Sequence, residues 1–354
     1  MTQLEIKLPT HTYPIYIGSG ALENKKNELL TYCPGKRAVV VSDETVWALH
    51  HQKFTKILQG LSISFTPIIV PPGETSKSIA VLELLYQKFA QFHLTRQAPI
   101  IAFGGGVVGD LAGFAASTFM RGVPFIQIPT TLLAQVDSSV GGKVAVNIPE
   151  GKNMVGSFYQ PQLVIADTDY LTTLPKREWN AGMAEVVKYA AIGETELQTI
   201  LNKQPLSAET MEQIIYLCCS CKAKYVQEDE RDTGSRRMLN FGHSFGHAIE
   251  KLHHFKKYNH GEAVAIGMAL AADFGTRLSV TEPETLSIIT ALMDNLGLNY
   301  TCSDFIGDII PLMAGDKKNI GDEIVLVLLK KMGQPFIYRT TLHQITDVFK
   351  ETDI

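Results

Sequence analysis

The chain has 354 residues, enough for two domains at roughly 150 residues each. Apolar residues make up 45% and charged residues 19%, a composition that excludes a disordered or collagen-like chain. The 32 basic side chains nearly cancel the 36 acidic ones, leaving −4, without the basic excess of a nucleic-acid binder.

The first eight residues alternate apolar and charged positions instead of placing a positive cluster before an apolar core, so no targeting segment is expected there. Residues 37–42, 65–70, 99–103, 125–128 and 163–166 are β-branched or apolar runs of strand length. Between two of them Ile79, Leu82, Leu85, Phe89 and Phe92 recur at helical spacing behind Ser76 and Ser78, either of which can cap. This strand–helix alternation predicts a Rossmann-like, mostly parallel sheet that binds ligands beyond the carboxyl ends of its strands.

The pattern changes after Thr168-Asp169-Tyr170. From Pro175 to about Leu298 the chain reads as mainly helical, and the late apolar runs 323–329 and 336–338 suit a small hairpin around Gly333. The boundary is placed near Leu171, giving an α/β domain over 1–170 and a mainly α-helical domain over 171–354. A small-molecule site is expected in the cleft of such a pair. The apolar stretch 263–272 stops at Asp273, short of the roughly 20 residues of a membrane span. Five cysteines, an odd number, suit reduced thiols in the cytoplasm, and Cys218, Cys219 and Cys221 read as structural residues of a buried helix.

The run 99–103 leads into Gly104-Gly105-Gly106-Val107-Val108-Gly109-Asp110, a GxGxxG between a predicted strand and a predicted helix. Absent side chains let backbone N–H groups approach a pyrophosphate, and the helix N-terminus adds positive potential. No acid follows at the Rossmann spacing of about 20 residues, so Asp43, after Val39-Val40-Val41, is the candidate ribose ligand. The absence of GxxxxGK[ST] argues against a P-loop ATPase.

Residues 236–251 place Arg236, Asn240, His243, His247 and Glu250 at spacings of 4, 3, 4 and 3, one face if the whole stretch is helical. Leu239, Phe241, Phe245 and Ile249 cover the packed faces, while Gly242 and Gly246 leave room for close backbone approach. HExxH is missing, so a zinc-protease reading fails, and further ligands are needed. His260, before the 263–272 helix, and Glu185, three residues from Lys188, are candidates; His253 and His254, among lysines, read as surface residues. Two imidazoles with Glu185 make a three-ligand divalent site with open positions.

Taken together, these motifs resemble the 3-dehydroquinate synthases of the sugar phosphate cyclase group, from Asp43 to about Lys318. The resemblance rests on Pro-Pro-Gly-Glu74-Thr-Ser-Lys77, the glycine loop to Asp110, Met-Arg121-Gly, and Thr130-Thr131 leading to Asp137-Ser138 and Gly-Gly-Lys143. It continues through Gly-Lys152-Asn153, Ala-Gly-Met-Ala-Glu185-Val-Val-Lys188, Asn240-Phe-Gly-His243-Ser-Phe-Gly-His247, His260-Gly-Glu and Asp-Lys317-Lys318. Ser244 stands where threonine is usual and Asp232 where glutamate is common.

The resemblance implies conversion of 3-deoxy-D-arabino-heptulosonate 7-phosphate to 3-dehydroquinate and phosphate. NAD oxidises C5 and is regenerated, while zinc or cobalt holds the C4 and C5 hydroxyls. Glu185, His243 and His260 are the implied metal ligands. Asp43, Glu74, Lys77, Gly105, Gly106, Val107, Asp110, Thr130, Thr131, Asp137, Ser138, Lys143 and Lys152 are implied at the nucleotide, with Asp137 reaching toward substrate. Lys143 and Asn153 belong to the phosphate end and Lys222 and Arg236 to the carboxylate end, with Lys188, Asn240, Lys317 and Lys318 completing the substrate contacts. His247 is a candidate for proton transfer, the alternative acceptor of the C6 proton being the substrate's own phosphate. Arg121 is expected from a neighbouring subunit, which implies a homodimer.

Glycerol and iron-type alcohol dehydrogenases act on substrates of little charge, for which this lysine and arginine set is superfluous. Sibling cyclases are closer rivals, but Lys152-Asn153 and Arg236 with Asn240 favour a carboxylated heptulosonate. A paralogue that only binds nucleotide is expected to lack a ligand or a lysine, and none is missing.

Overall fold

The computed structural model describes residues 1–203, 205–315 and 323–350, so Lys317 and Lys318 lie outside the described residues. The chain divides into two compact units: Met1–Pro175 with Ala208–Ala223, and Lys176–Ser207 with Lys224–Ile354.

In the first unit β1 (Thr2–Lys7), β2 (Thr12–Gly18), β3 (Arg37–Asp43), β4 (Ser64–Val70), β5 (Ile100–Gly104), β6 (Phe125–Pro129) and β9 (Leu163–Asp167) form one seven-stranded sheet. Its order is β1-β2-β9-β6-β5-β3-β4, parallel throughout except at the β1–β2 edge. The five strands expected from apolar runs are β3, β4, β5, β6 and β9; β1 and β2 had not been foreseen. Every residue of β5, β6 and β9 is buried, because helices cover both faces of a parallel sheet. Val39, Val41, Ile100 and Ala102 pack on one face with Leu85, Phe89 and Leu111. Alternate residues Val40, Ile101 and Phe103 pack on the other with Phe54 and Leu58.

Phe103 stacks on Phe54 with ring centroids 4.3 Å apart and meets Tyr170 edge-on at 5.3 Å. Since Phe103 is fully buried, Phe103→Ala is expected to cost about 3–5 kcal/mol in urea unfolding. A loss below about 1 kcal/mol would show that the site collapses around the vacancy.

The helix Ile79–Gln91 starts as expected, with Ser78 Oγ accepting the Val81 N–H at 3.4 Å. Ser76 is not the cap; its hydroxyl donates to the Pro71 carbonyl. A separate two-stranded sheet, β7 (Lys143–Ile148) with β8 (Gly151–Phe158), was likewise not foreseen. The helix Ala208–Glu228 contains the three neighbouring cysteines, all buried. Cys219 Sγ lies 3.1 Å from the Gln135 carbonyl, and burial pushes its thiol up to about 12, where it stays protonated and unreactive.

The second unit is mainly helical, with an antiparallel hairpin of β10 (Ile324–Leu329) and β11 (Pro335–Thr340) turning at Gly333, φ +80°. The expected continuous helix over 236–251 does not form. Ser235–Asn240 is a 3₁₀ turn, Gly242 adopts φ +79°, and an α-helix runs only over His243–Leu252. The cause is a close crossing with the helix His260–Arg277. A Cβ on Gly242 would meet the Met268 nitrogen at 2.8 Å, and one on Gly267 the Gly242 carbonyl at 2.0 Å. Arg236 and Asn240 therefore do not share the helical face of His243, His247 and Glu250. The helix His260–Arg277 begins at a capping box in which Asn259 Oδ1 accepts the Glu262 N–H and Glu262 Oε2 accepts the Asn259 N–H. No helix among the described residues is long and apolar enough to cross a membrane.

Candidate active site

The expected nucleotide residues gather at the carboxyl ends of neighbouring strands of the first unit. Asp43 closes β3, Glu74 and Lys77 follow β4, Gly105 and Gly106 follow β5, and Thr130 and Thr131 follow β6. Gly105 is the N-cap of the helix Gly106–Thr118, whose first turn contains Val107. A Cβ on Gly105 would lie 2.9 Å from Thr131 Cγ2, and one on Gly106 3.0 Å from Ser138 Oγ, so no side chain fits before these N–H groups. Asp43 Oδ1 caps the helix Glu44–Gly60, accepting from the Thr45 and Val46 N–H groups at 2.9 and 3.0 Å. Lys77, buried, pairs with Asp110; burial pushes the Asp110 carboxyl up, against the opposing pull of Lys77.

Asp137 lies in the π-helical turn Ala134–Ser138, a local distortion frequent at functional sites. Lys222 Nζ stands 2.8 Å from Asp137 Oδ1 and donates to the Asp137 carbonyl at 2.7 Å. Lys222 thus belongs to the first unit, through the returning segment Ala208–Ala223. Lys143 opens β7, while Lys152 and Asn153 lie on β8, Asn153 at φ +53°. Arg121 is exposed in a turn where Met120, Arg121 and Gly122 all have positive φ (49°, 66° and 117°).

In the second unit Glu185 and Lys188 sit on the helix Lys176–Ile192, His243, His247 and Glu250 on the helix His243–Leu252, and His260 opens the next helix. Glu185 and Lys188 are almost completely buried and form an ion pair. Glu185 Oε1 lies 3.6 Å from His243 Nε2 and 3.3 Å from His260 Nε2. The other His260 nitrogen, Nδ1, is 3.7 Å from Oε2 of buried Glu250. Burial holds the His243 imidazole well below its usual range. For His260 burial acts in the same direction, but hydrogen bonding to Glu185 and Glu250 outweighs it and lifts the ring to about 10.

Ligand atoms of Glu185, His243 and His260 all fall within 4.8 Å of one another. One carboxylate and two imidazoles at this spacing fit a divalent first-row ion, since donors about 2.1 Å from a shared tetrahedral ion stand ~3.4 Å apart. His247, exposed, places its ring centroid 5.5 Å from that of His243. His254 is exposed, as expected, whereas His253 is half-buried, its Nε2 lying 2.8 Å from Asp304 Oδ2.

Arg236 is buried, and its Nη1 donates to the Glu230 carbonyl at 2.7 Å. Asn240 Nδ2 donates to the Arg237 carbonyl at 2.9 Å. The turn before Arg236 is gathered by Asp229, a residue the motifs did not single out. Its carboxylate accepts the N–H groups of Thr233, Gly234 and Arg236 at 3.0, 2.6 and 3.1 Å. Burial pushes the Asp229 carboxyl up, but these N–H groups prevail and hold it below its usual range. Its contribution to stability is therefore complete above the unfolded value of about 3.9 and is lost as pH falls through the folded value. Asp229→Asn is expected to be less stable than the parent at pH 7 and to converge with it in strong acid. Urea unfolding at both pH values checks this, and an undiminished gap in acid would refute it. Asp232, in the same turn, adopts φ +58°, a conformation aspartate tolerates better than glutamate.

A parallel-sheet unit with a glycine loop at a helix N-terminus, together with a helical unit carrying a Glu-His-His set, has the sugar phosphate cyclase fold. The structure is similar to 2-deoxy-scyllo-inosose synthase complexed with carbaglucose-6-phosphate, NAD+ and Co2+ (TM-score 0.87, 27% identity, covering 99% of this chain and 100% of that one). It is equally similar to 2-epi-5-epi-valiolone synthase from Streptomyces hygroscopicus with NAD+ and Zn2+ bound (TM-score 0.87, 25% identity, 98% of both chains). Residues 67–181 match the family described as 3-dehydroquinate synthase N-terminal, and residues 182–319 its C-terminal counterpart. A 3-dehydroquinate synthase of Desulforamulus reducens is 44% identical over 346 residues, 96% of each chain. The chain belongs to the 3-dehydroquinate synthase family.

Proposed function

We propose that the chain converts 3-deoxy-D-arabino-heptulosonate 7-phosphate to 3-dehydroquinate and phosphate, a lyase reaction dependent on catalytic NAD and on zinc or cobalt. The observation that carries the reading is the convergence of Glu185, His243 and His260 beside the buried Lys188, the donor set such an ion requires. When bound, NAD supplies reversible oxidation at C5, and the ion polarises the C4 and C5 hydroxyls.

The chain's own residues bind and orient. The N–H groups at Gly105, Gly106 and Val107 take the pyrophosphate, with Asp43, Glu74, Lys77, Asp110, Thr130, Thr131, Ser138 and Lys152 around the rest of the nucleotide. Lys143 and Asn153 take the substrate phosphate, with Arg121 reaching in from a second copy of the chain and the Lys317-Lys318 pair adding positive charge. Lys222, Arg236 and Asn240 receive the carboxylate and neighbouring hydroxyls, and Asp137, held by Lys222, orients toward the substrate. Lys188 balances Glu185, while His247 beside His243 is placed for proton transfer. The enzyme works in this reading as a cytoplasmic homodimer on a small sugar phosphate.

One assay tests the proposal. Purified protein is mixed with the heptulosonate phosphate and catalytic NAD, and phosphate release is followed with absorbance at 340 nm. Stoichiometric phosphate without lasting NADH, abolished by a chelator and restored by zinc or cobalt, is the expected result. Accumulating NADH without phosphate would instead identify a dehydrogenase. Turnover of a sibling sugar phosphate alone would identify another cyclase.

A further inference from the structure

Asn147 lies in β7 and belongs to none of the motifs above. Its Nδ2 donates to Glu74 Oε1 at 2.7 Å, and its Oδ1 accepts the Asn153 N–H at 2.8 Å. Its own backbone N–H donates to the Lys77 carbonyl at 2.8 Å, and Asn147 forms an isolated parallel bridge with Ser78. One side chain thus joins the turn after β4, with its nucleotide residues Glu74 and Lys77, to the strand carrying the phosphate residue Asn153.

The chemistry of the partners fixes the residue type. A carboxylate only accepts and a backbone N–H only donates, so the group between Glu74 and Asn153 must donate on one side and accept on the other. An amide does both. A carboxylate would stand against Glu74 with like charge, and an aliphatic group would serve neither partner.

The local backbone explains why this link matters. β7 and β8 form a separate two-stranded sheet, joined to the segment after β4 by the Ser78–Asn147 bridge, and a two-stranded sheet by itself is marginally stable. Their register breaks between Val146↔Val155 and Ile148↔Gly151, so Asn147 alone faces the irregular stretch that contains Lys152 and Asn153. The contacts of Asn147 fasten that stretch to the Glu74–Lys77 turn.

We propose that Asn147 is a positioning residue that couples the nucleotide end of the site to its phosphate end. A nucleotide that orders Glu74 orients the amide and with it the Asn153 backbone, so the ordering cost falls once for both ligands and they bind with positive cooperativity. This rests on the functional reading above for the roles of Glu74, Lys77 and Asn153.

The test is calorimetric titration of the full chain with NAD, in inorganic phosphate or in chloride of equal ionic strength. Phosphate is expected to tighten NAD binding about fivefold or more, and NAD to tighten phosphate by the same factor. Asn147→Leu removes the coupling while each ligand still binds alone. Asn147→Asp keeps the acceptor for Asn153 but opposes Glu74, so NAD binds more weakly and the coupling is again lost. A residue that merely supported the fold would change single affinities without changing their ratio. Coupling retained in both variants overturns the proposal, as does an unaltered chain that binds both ligands independently. Should Asn147→Leu fail to fold by circular dichroism, Asn147→Asp decides. An unaltered chain that binds neither ligand overturns the functional reading, and this inference with it.

Discussion

Glu185→Gln is expected to cut turnover by about 10²–10³-fold and to leave a protein that no longer retains stoichiometric metal through dialysis. The substitution keeps the size of the side chain and removes its charge. It also removes the counter-charge of Lys188, whose side chain is 1% exposed. Breaking a buried pair from one side costs about 3–5 kcal/mol, so the variant should unfold at markedly lower urea concentration. Metal analysis and urea titration separate the effects. Restoring neutrality with Glu185→Gln combined with Lys188→Met should recover much of the stability and none of the activity. Full activity and full metal content in Glu185→Gln would remove Glu185 from the site.

Arg236→Lys is expected to lower kcat/KM by about 10²-fold, chiefly through KM. A buried guanidinium presents a planar fork matched to a carboxylate, and an ammonium on a shorter reach supplies a single point of contact. The Glu230 carbonyl, 2.7 Å from Nη1, already fixes one side of that fork before substrate arrives. NAD affinity and metal content should not change, because Arg236 belongs to neither set. Unaltered KM for the heptulosonate phosphate would mean that the carboxylate is received elsewhere.

The sequence revealed the strands that are buried on both faces. β3, β5, β6 and β9 appear as apolar runs, interrupted in β6 by Gln127, because each lies in the interior of a parallel sheet. Edge strand β1 carries the weaker signal of alternation, Leu4 and Ile6 against Gln3, Glu5 and Lys7. In the β7–β8 hairpin, β8 gave no signal, being polar and glycine-bearing. At the site, the histidine spacing located the helical face, but the break at Gly242 depended on a partner helix more than fifteen residues away, invisible to periodicity. Asn147 acts through Glu74, far away in sequence, and Asp229 through backbone N–H groups of the turn that follows it, and a lone asparagine or aspartate carries no mark of that duty.

The return of Ala208–Ala223 to the first unit sets an order on synthesis. Thr2 Oγ1 in β1 donates to Glu212 Oε1 at 2.8 Å, and Lys222 closes on Asp137. A ribosome that has released residue 175 has made every strand of the main sheet, yet the unit still lacks the helix that covers these groups. That helix emerges only after the segment Lys176–Ser207, which carries Glu185 and Lys188, has been made. The nascent sheet therefore waits through more than thirty residues of its neighbour's chain, an interval in which a chaperone has something to hold.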